Sequence, residues 1–251
     1  MRRIESPTNP LVKTLHRLAH PRKREAQFLL EGKKLVDAVL QSGTEVETIV
    51  VSSTYGGGAP PPDAGTYVVR AVNVVELDEP LFRSVSSLES PEGILAIARR
   101  PSLAAPRSGL IAVAAGIQDP GNLGAIARVV EATGAAGLVV LKGSTDPFGP
   151  KAVRGSMGSV LRVPVCEVSD MSELDAFRNI ALVPRGGSDY REMDWGSPCA
   201  VVLGGESVGI DDEMLARCDA NVSIPMQGKV ESLNVATAAA LVLYQATRRE
   251  G

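Results

Sequence analysis

The stretch Ile224-Pro-Met-Gln-Gly-Lys-Val-Glu-Ser-Leu-Asn234 leaves a short β-branched run, Asn221 to Ile224, and enters an alanine-rich segment running from about Ser232 to Arg249. The run reads as a strand and the alanine-rich segment as a helix, with Pro225 and Gly228 marking the loop between them. Ser232 suits an N-cap, because its hydroxyl oxygen accepts from an otherwise unpaired N–H of the first helical turn. A strand running through a loop into a helix is the repeating unit of an α/β domain. The loop at such a junction offers backbone donors and acceptors to a ligand. The same residues also fit a plain connection closed by a capped helix.

Upstream of this junction the alternation repeats. Short apolar runs near Leu110–Ala114, Leu138–Leu141, Leu161–Val165, Ile180–Val183, Ala200–Leu203 and Val222–Ile224 read as strands. Segments near Asn122–Thr133, Pro150–Met157, Met171–Asn179, Asp211–Arg217 and Ser232–Arg249 read as helices. Nearly continuous apolar strands alternating with helices predict a parallel sheet covered on both faces.

Two further junctions resemble the first in kind. In Gln118-Asp-Pro-Gly-Asn-Leu-Gly-Ala-Ile-Ala-Arg128 a strand gives way to a helix, and Leu123, Ile126, Ala127 and Val130 share its buried face. Arg128 lies about 140° from Leu123, off that face. Asn122 and Arg128 differ by about 120° in direction and by roughly 9 Å along the axis. They are poorly placed to serve one small ligand, so a shared reaction would require Arg128 to reach a neighbouring subunit. A cap and a surface arginine fit the spacing equally well. In Ala200-Val-Val-Leu-Gly-Gly-Glu-Ser-Val-Gly-Ile210 an apolar strand stops at Gly204-Gly205, where backbone can approach a ligand closely, and Glu206 follows at the carboxyl end of the sheet. A glycine turn with an exposed glutamate is the simpler reading.

The N-terminal part is different. Residues 1–26 are polar and helix-permissive, interrupted by Pro7, Pro10 and Pro21, and predict a basic helical arm. The first 35 residues carry nine basic and three acidic side chains, which suits either a solvated face or an RNA-facing one. Residues 27–99 predict a small α/β domain. Its strands are expected at Gln27–Leu30, Thr48–Val51, Thr66–Val72 and Ile94–Ala98, with helices at Gly32–Gln41, around Val74 and at Pro80–Leu88. The Gly56-Gly57-Gly58 run precedes three prolines and lacks the spacing of a phosphate cradle. Residues 100–109 form a proline-bearing linker, and residues 110–251 the second domain.

Composition narrows the class. Of 251 residues 44% are apolar and only 4% aromatic, so the core is built from Val, Leu, Ile and Ala. A net charge of −3 excludes a polycation but not a local basic face. Cys166, Cys199 and Cys218 show neither metal spacing nor a disulfide pattern, and His16 and His20 lack a third ligand. No 18-residue apolar run or signal-peptide core occurs, so a cytoplasmic, metal-free protein is expected.

Together, Asn122-x5-Arg128, Leu203-Gly-Gly-Glu206 with Gly209-Ile210, and Ile224-Pro-Met226 with Ser232-Leu-Asn-Val235 resemble the three motifs of the SpoU/TrmH family of the SPOUT class. The segment Lys151-Ala-Val-Arg154-Gly-Ser is similar to a family element near the RNA site. Phe28-Leu-Leu-Glu-Gly-Lys33 is similar to a ribosomal-protein-like substrate-binding domain. The resemblance implies an α/β sheet with a deep C-terminal trefoil knot, a topology that periodicity does not suggest. It implies S-adenosylmethionine as cofactor, bent into a pocket made by Leu203, Gly204, Gly205, Ile224, Met226 and Leu233. It implies methylation of a ribose 2′-OH, with Asn122, Arg128, Glu206, Ser232 and Asn234 as the functional polar set, and a homodimer sharing its active sites. A guanidinium is a poor base, so Arg128 is better suited to hold a phosphate and stabilise a developing alkoxide. Arg154 and Lys33 are the expected RNA contacts, with a structural ion pair as the other option for Arg154. Ribosomal RNA is the favoured substrate, housekeeping or resistance-conferring, and transfer RNA the second. A non-catalytic RNA-binding or ribosome-assembly factor on the same scaffold is the competing class.

Overall fold

A computed structural model describes residues 1–58, 73–206 and 209–248. The expected strand Thr66–Val72 lies outside the described residues. The chain divides into two compact units, Met1–Pro101 with Phe148–Arg154, and Ser102–Pro147 with Gly155–Gly251.

Among the described residues the first unit carries a five-stranded mixed sheet. Its strands are β1 (Arg2–Ile4), β2 (Gln27–Glu31), β3 (Val46–Ser52), β4 (Asn73–Leu77) and β5 (Ile94–Arg99), ordered β1-β4-β3-β5-β2. Residues 1–26 are anchored at two points, while their basic side chains stay exposed. β1 pairs in parallel with β4. The helix α1 (Pro10–Ala19) starts where Asn9 Oδ1 accepts from Leu11 N at 2.9 Å, with Pro10 pre-set for the first turn. Val12, Leu15, Leu18 and Ala19 then fall on one face and are buried with Leu29, Val50, Leu77 and Phe82. Each such aliphatic side chain contributes about 1.5–3 kcal/mol, enough to hold the basic segment on the sheet. The segment around Val74 is β4 and not helical, because its backbone pairs with both β1 and β3. Helix α3 (Glu79–Val85) packs beside α1 in the same core, and α2 (Lys33–Gln41) packs on β2 and β5.

In the second unit, among the described residues, seven strands pair entirely in parallel. They are β6 (Leu110–Ala115), β7 (Gly137–Leu141), β8 (Val165–Val168), β9 (Arg178–Leu182), β10 (Ser188–Asp189), β11 (Cys199–Gly204) and β12 (Ala220–Ser223). The order is β10-β12-β9-β11-β6-β7-β8, so β11 is inserted between two earlier strands. The unit's helices are α4 (Pro120–Thr133), α6 (Asp212–Leu215) and α7 (Val235–Thr247), with α4 packed on α7, whereas α5 (Pro150–Ser156) falls through Arg154 in the first unit, so residues 148–154 leave the domain expected over 110–251. Three expectations are corrected. Leu161 closes a 3₁₀ turn, and the strand begins only at Val165, after Pro164. Met171–Asn179 is helical only over Met171–Leu174, because Arg178 and Asn179 already pair with β11. The N-cap of α7 is Asn234 and not Ser232, since Asn234 Oδ1 accepts from Ala236 N and Thr237 N at 3.0 and 3.3 Å.

No described helix is long and apolar enough to cross a membrane. Among the described residues no group of three His, Cys, Asp or Glu side chains could hold a metal ion. The cysteines are free, and burial pushes each thiol up to about 11.

Candidate active site

In the second unit, the adjacent parallel strands β12, β9, β11 and β6 end on the same side of the sheet, and the carboxyl ends of β6, β11 and β12 feed the three motif junctions. The loop after β6 is fixed first. Ile117 N donates to Ser144 Oγ at 3.2 Å, and that hydroxyl donates to Ala114 O at 3.0 Å. Asp119 then caps α4 by accepting from Asn122 N at 2.8 Å, which sets Asn122 on the first turn.

The second junction is held by close contact within the chain itself. A Cβ on Gly204 would sit 2.5 Å from the Gly209 carbonyl carbon, and one on Gly205 would collide with the Gly116 carbonyl oxygen. Gly205 N donates to Ala115 O at 3.0 Å, and Gly209 N to Gly205 O at 2.8 Å. The glycines are therefore demanded by backbone crossing backbone, a reason distinct from both the ligand approach and the plain turn that the sequence suggests.

The second and third junctions line a cavity of about 520 Å³, of a size that takes a nucleoside-like molecule. Leu203, Ile224, Met226 and Leu233 supply apolar wall, and Gly204 and Gly205 supply backbone. All six expected cofactor-contacting residues therefore meet in one place. The end of β9, Leu182 to Arg185, closes another side and was not foreseen. Its signal was weak: Val183-Pro-Arg-Gly-Gly187 reads as an ordinary turn. Glu206 and Ser232 also line the cavity.

Three of the expected polar residues form a chain of hydrogen bonds. Asn122 Nδ2 donates to Glu206 Oε1. Asn234 Nδ2 donates to Asn122 Oδ1 at 2.9 Å, while Asn234 Oδ1 caps α7. Each amide orientation is thereby fixed by its neighbours. Asn122 Oδ1 keeps a second lone pair, and each Nδ2 keeps one N–H, so the cluster presents an acceptor flanked by donors. Such an arrangement suits a hydroxyl that must be oriented while it loses a proton.

Arg128 does not join this cluster. It is exposed, and among the described residues it has no hydrogen-bond or ion-pair partner. In the first unit, Arg154 donates to Ser87 Oγ at 2.8 Å and lies 3.9 Å from the buried Glu31 carboxylate. Lys33 Nζ pairs with Asp37 at 2.8 Å, one turn along α2.

Comparison with known proteins bears on this arrangement. Residues 109–244 match the model of the SpoU rRNA Methylase family, and residues 9–96 match the MRM3-like substrate binding domain. The 23S rRNA (guanosine(2553)-2′-O)-methyltransferase RlmP of Bacillus subtilis is 33% identical, over 97% of this chain and 98% of its own. The 23S rRNA (uridine(2479)-2′-O)-methyltransferase of Streptomyces viridochromogenes is 28% identical, over 91% of this chain and 85% of its own. Among solved structures, an AdoMet-bound rRNA methyltransferase from Sinorhizobium meliloti superposes with a TM-score of 0.84 at 28% identity, covering 98% of this chain and 97% of that one.

Proposed function

The chain belongs to the SpoU rRNA Methylase family, and from that premise we propose that it methylates a ribose 2′-OH of ribosomal RNA, using S-adenosylmethionine. The observation that carries this is the Glu206–Asn122–Asn234 hydrogen-bond chain, in a fold unit whose cavity has the apolar wall and exposed backbone that a nucleoside cofactor needs. When bound, the cofactor would supply an activated sulfonium methyl to the ribose 2′-oxygen, with the neutral thioether as leaving group and the hydroxyl proton released to solvent.

The protein's share is binding and orientation. Leu203, Ile224, Met226 and Leu233 exclude water from the cofactor, and Gly204 and Gly205 bring backbone groups to it. Asn122 Oδ1 accepts from the ribose hydroxyl, and Glu206 locks the Asn122 amide so that this oxygen faces outward. Asn234 holds Asn122 from the other side. Ser232, on the cavity wall, faces the same ribose. The chain after Ile224 threads an earlier loop as a trefoil knot, which brings residues 203–206 and 224–233 together.

A homodimer completes the site. Arg128 points away from its own Asn122 cluster, and Leu241 and Tyr244 on α7 are 40% and 54% exposed, one turn apart. A second copy covers this apolar pair and receives Arg128 as its phosphate-holding cation. Residues 27–99, with the N-terminal 26 and the segment 148–154 that clusters with them, recognise folded RNA in the cytoplasm through Lys33 and Arg154. Residues 100–109 link them to the chemistry carried by 110–251.

The test is incubation with labelled S-adenosylmethionine and separate pools of ribosomal and transfer RNA, followed by mapping of 2′-O-methyl stops. Label at one ribose of ribosomal RNA is expected. Label on a base, or in neither pool despite cofactor binding, refutes the reading.

A further inference from the structure

A second cavity, of about 430 Å³, adjoins the first in the same unit. The two share Pro184, Arg185, Ile224 and Met226, so they meet along a common wall. Their chemistry differs. The second is lined by two cations, Arg185 and Lys229, and by no acidic residue. Among the described residues neither cation has a hydrogen-bond or ion-pair partner. Pro225 and Val230 add apolar surface, and Val230 is 59% exposed although it is a large aliphatic side chain.

The base of the cavity is fixed in place. β10 pairs with β12, Tyr190 N donates to Ser223 O at 3.1 Å, and Ser223 Oγ donates to Gly187 O at 3.0 Å. The loops bearing Arg185 and Lys229 therefore leave from one hydrogen-bonded platform. Asp189, an acidic group on it, is taken by Arg191 through contacts of 2.9 and 3.1 Å.

Two occupants compete for this cavity. The methionyl end of the cofactor carries a sulfonium and an ammonium against one carboxylate, so its net charge is positive and two unneutralised cations oppose it. A nucleotide of RNA is the better match. It brings a phosphodiester for Arg185 and Lys229, and a sugar or base face for Pro225 and Val230. Resting on the proposed 2′-O-methylation of RNA, we propose that this cavity is a subsite for the substrate nucleotide next to the methylated one, with Lys229 and Arg185 holding its phosphate.

Lys229 and Val230 line only the second cavity, which makes them the informative positions. Lys229→Gln and Val230→Glu are compared with wild type on an in-vitro transcript of 23S rRNA. Cofactor affinity is followed by calorimetry and RNA affinity by filter binding across a salt series. Each variant should weaken RNA binding about three- to tenfold and raise KM for RNA to match. Lys229→Gln should reduce the slope of log affinity against log salt by about 1. Cofactor affinity and kcat at saturating RNA should not change. Unaltered RNA binding in both variants overturns the subsite, as does lost cofactor affinity, which would give the cavity to the cofactor's carboxylate. Wild-type protein that methylates no RNA refutes the proposed reaction; a methylating enzyme indifferent to both substitutions refutes the subsite alone.

Discussion

At the scale of single residues, the Asn234 amide has two jobs, and its two ends separate them. Oδ1 caps α7, and Nδ2 holds Asn122. Asn234→Ala should lower stability by about 0.5–2 kcal/mol through loss of the cap, and should also depress turnover. Asn234→Asp keeps the capping oxygen but has no N–H for Asn122. It should melt at close to the wild-type temperature and still lose at least about tenfold in kcat. Equal melting losses in both variants would show that the cap is not the stabilising element. Gly205 is a second residue whose role is structural before it is chemical. Gly205→Ala drives a methyl into the Gly116 carbonyl, with backbone on both sides. A loss of about 3 kcal/mol or more in denaturant unfolding is expected, with cofactor binding lost in parallel. The sequence marked Gly204-Gly205 as special without disclosing the reason, because the crowding partners, Gly116 and Gly209, are brought there only by the fold.

At the scale of elements, α4 is tied to the turn after α5 by Glu131. Its carboxylate accepts from Arg162 Nη2 at 2.9 Å and from Ser159 Oγ at 2.6 Å. The hydrogen bond from Arg162 holds the Glu131 carboxyl below the ordinary carboxylate range, against the opposing effect of partial burial. A depressed folded value stabilises the protein above the unfolded value, near about 4.3, and that contribution is lost as pH falls through the folded value. Wild type should therefore melt above Glu131→Gln at pH 7, and the gap should close below pH ~4. A gap that stays constant with pH would assign the difference to packing. Elements with a clear period were legible: α2, α4 and most strands fall where their apolar spacing puts them, whereas the buried face of α1 was hidden among polar residues and prolines. The failures share a cause. Met171–Asn179 and Leu161–Val165 are short segments whose fate depends on which backbone groups find partners across the sheet, and local propensity does not record that. Ser232 and Asn234 are both good caps by composition; Asn234 is the cap that also reaches Asn122, a residue 112 positions away in the chain.

At the scale of the molecule, the proposed dimer makes a claim that one chain cannot test. Mixing Arg128→Ala with Asn122→Ala protein should restore part of the activity, because a shared site in the mixed dimer keeps both groups. Two inactive parents that stay inactive after subunit exchange would place Arg128 in its own chain's chemistry or outside it. Strand order has a consequence of another kind. β11 lies between β6 and β9 but follows both in the chain, and β9 pairs only with β11 and β12. During synthesis, β6, β7 and β8 can assemble as they emerge, while β9 waits without a neighbour until residue 204 has been added. Asn122 in turn waits for residue 234. A chain ending before Cys199 lacks the strand that joins β9 to β6, and one ending between Ser223 and Asn234 holds all seven described strands but not the donor that fixes Asn122.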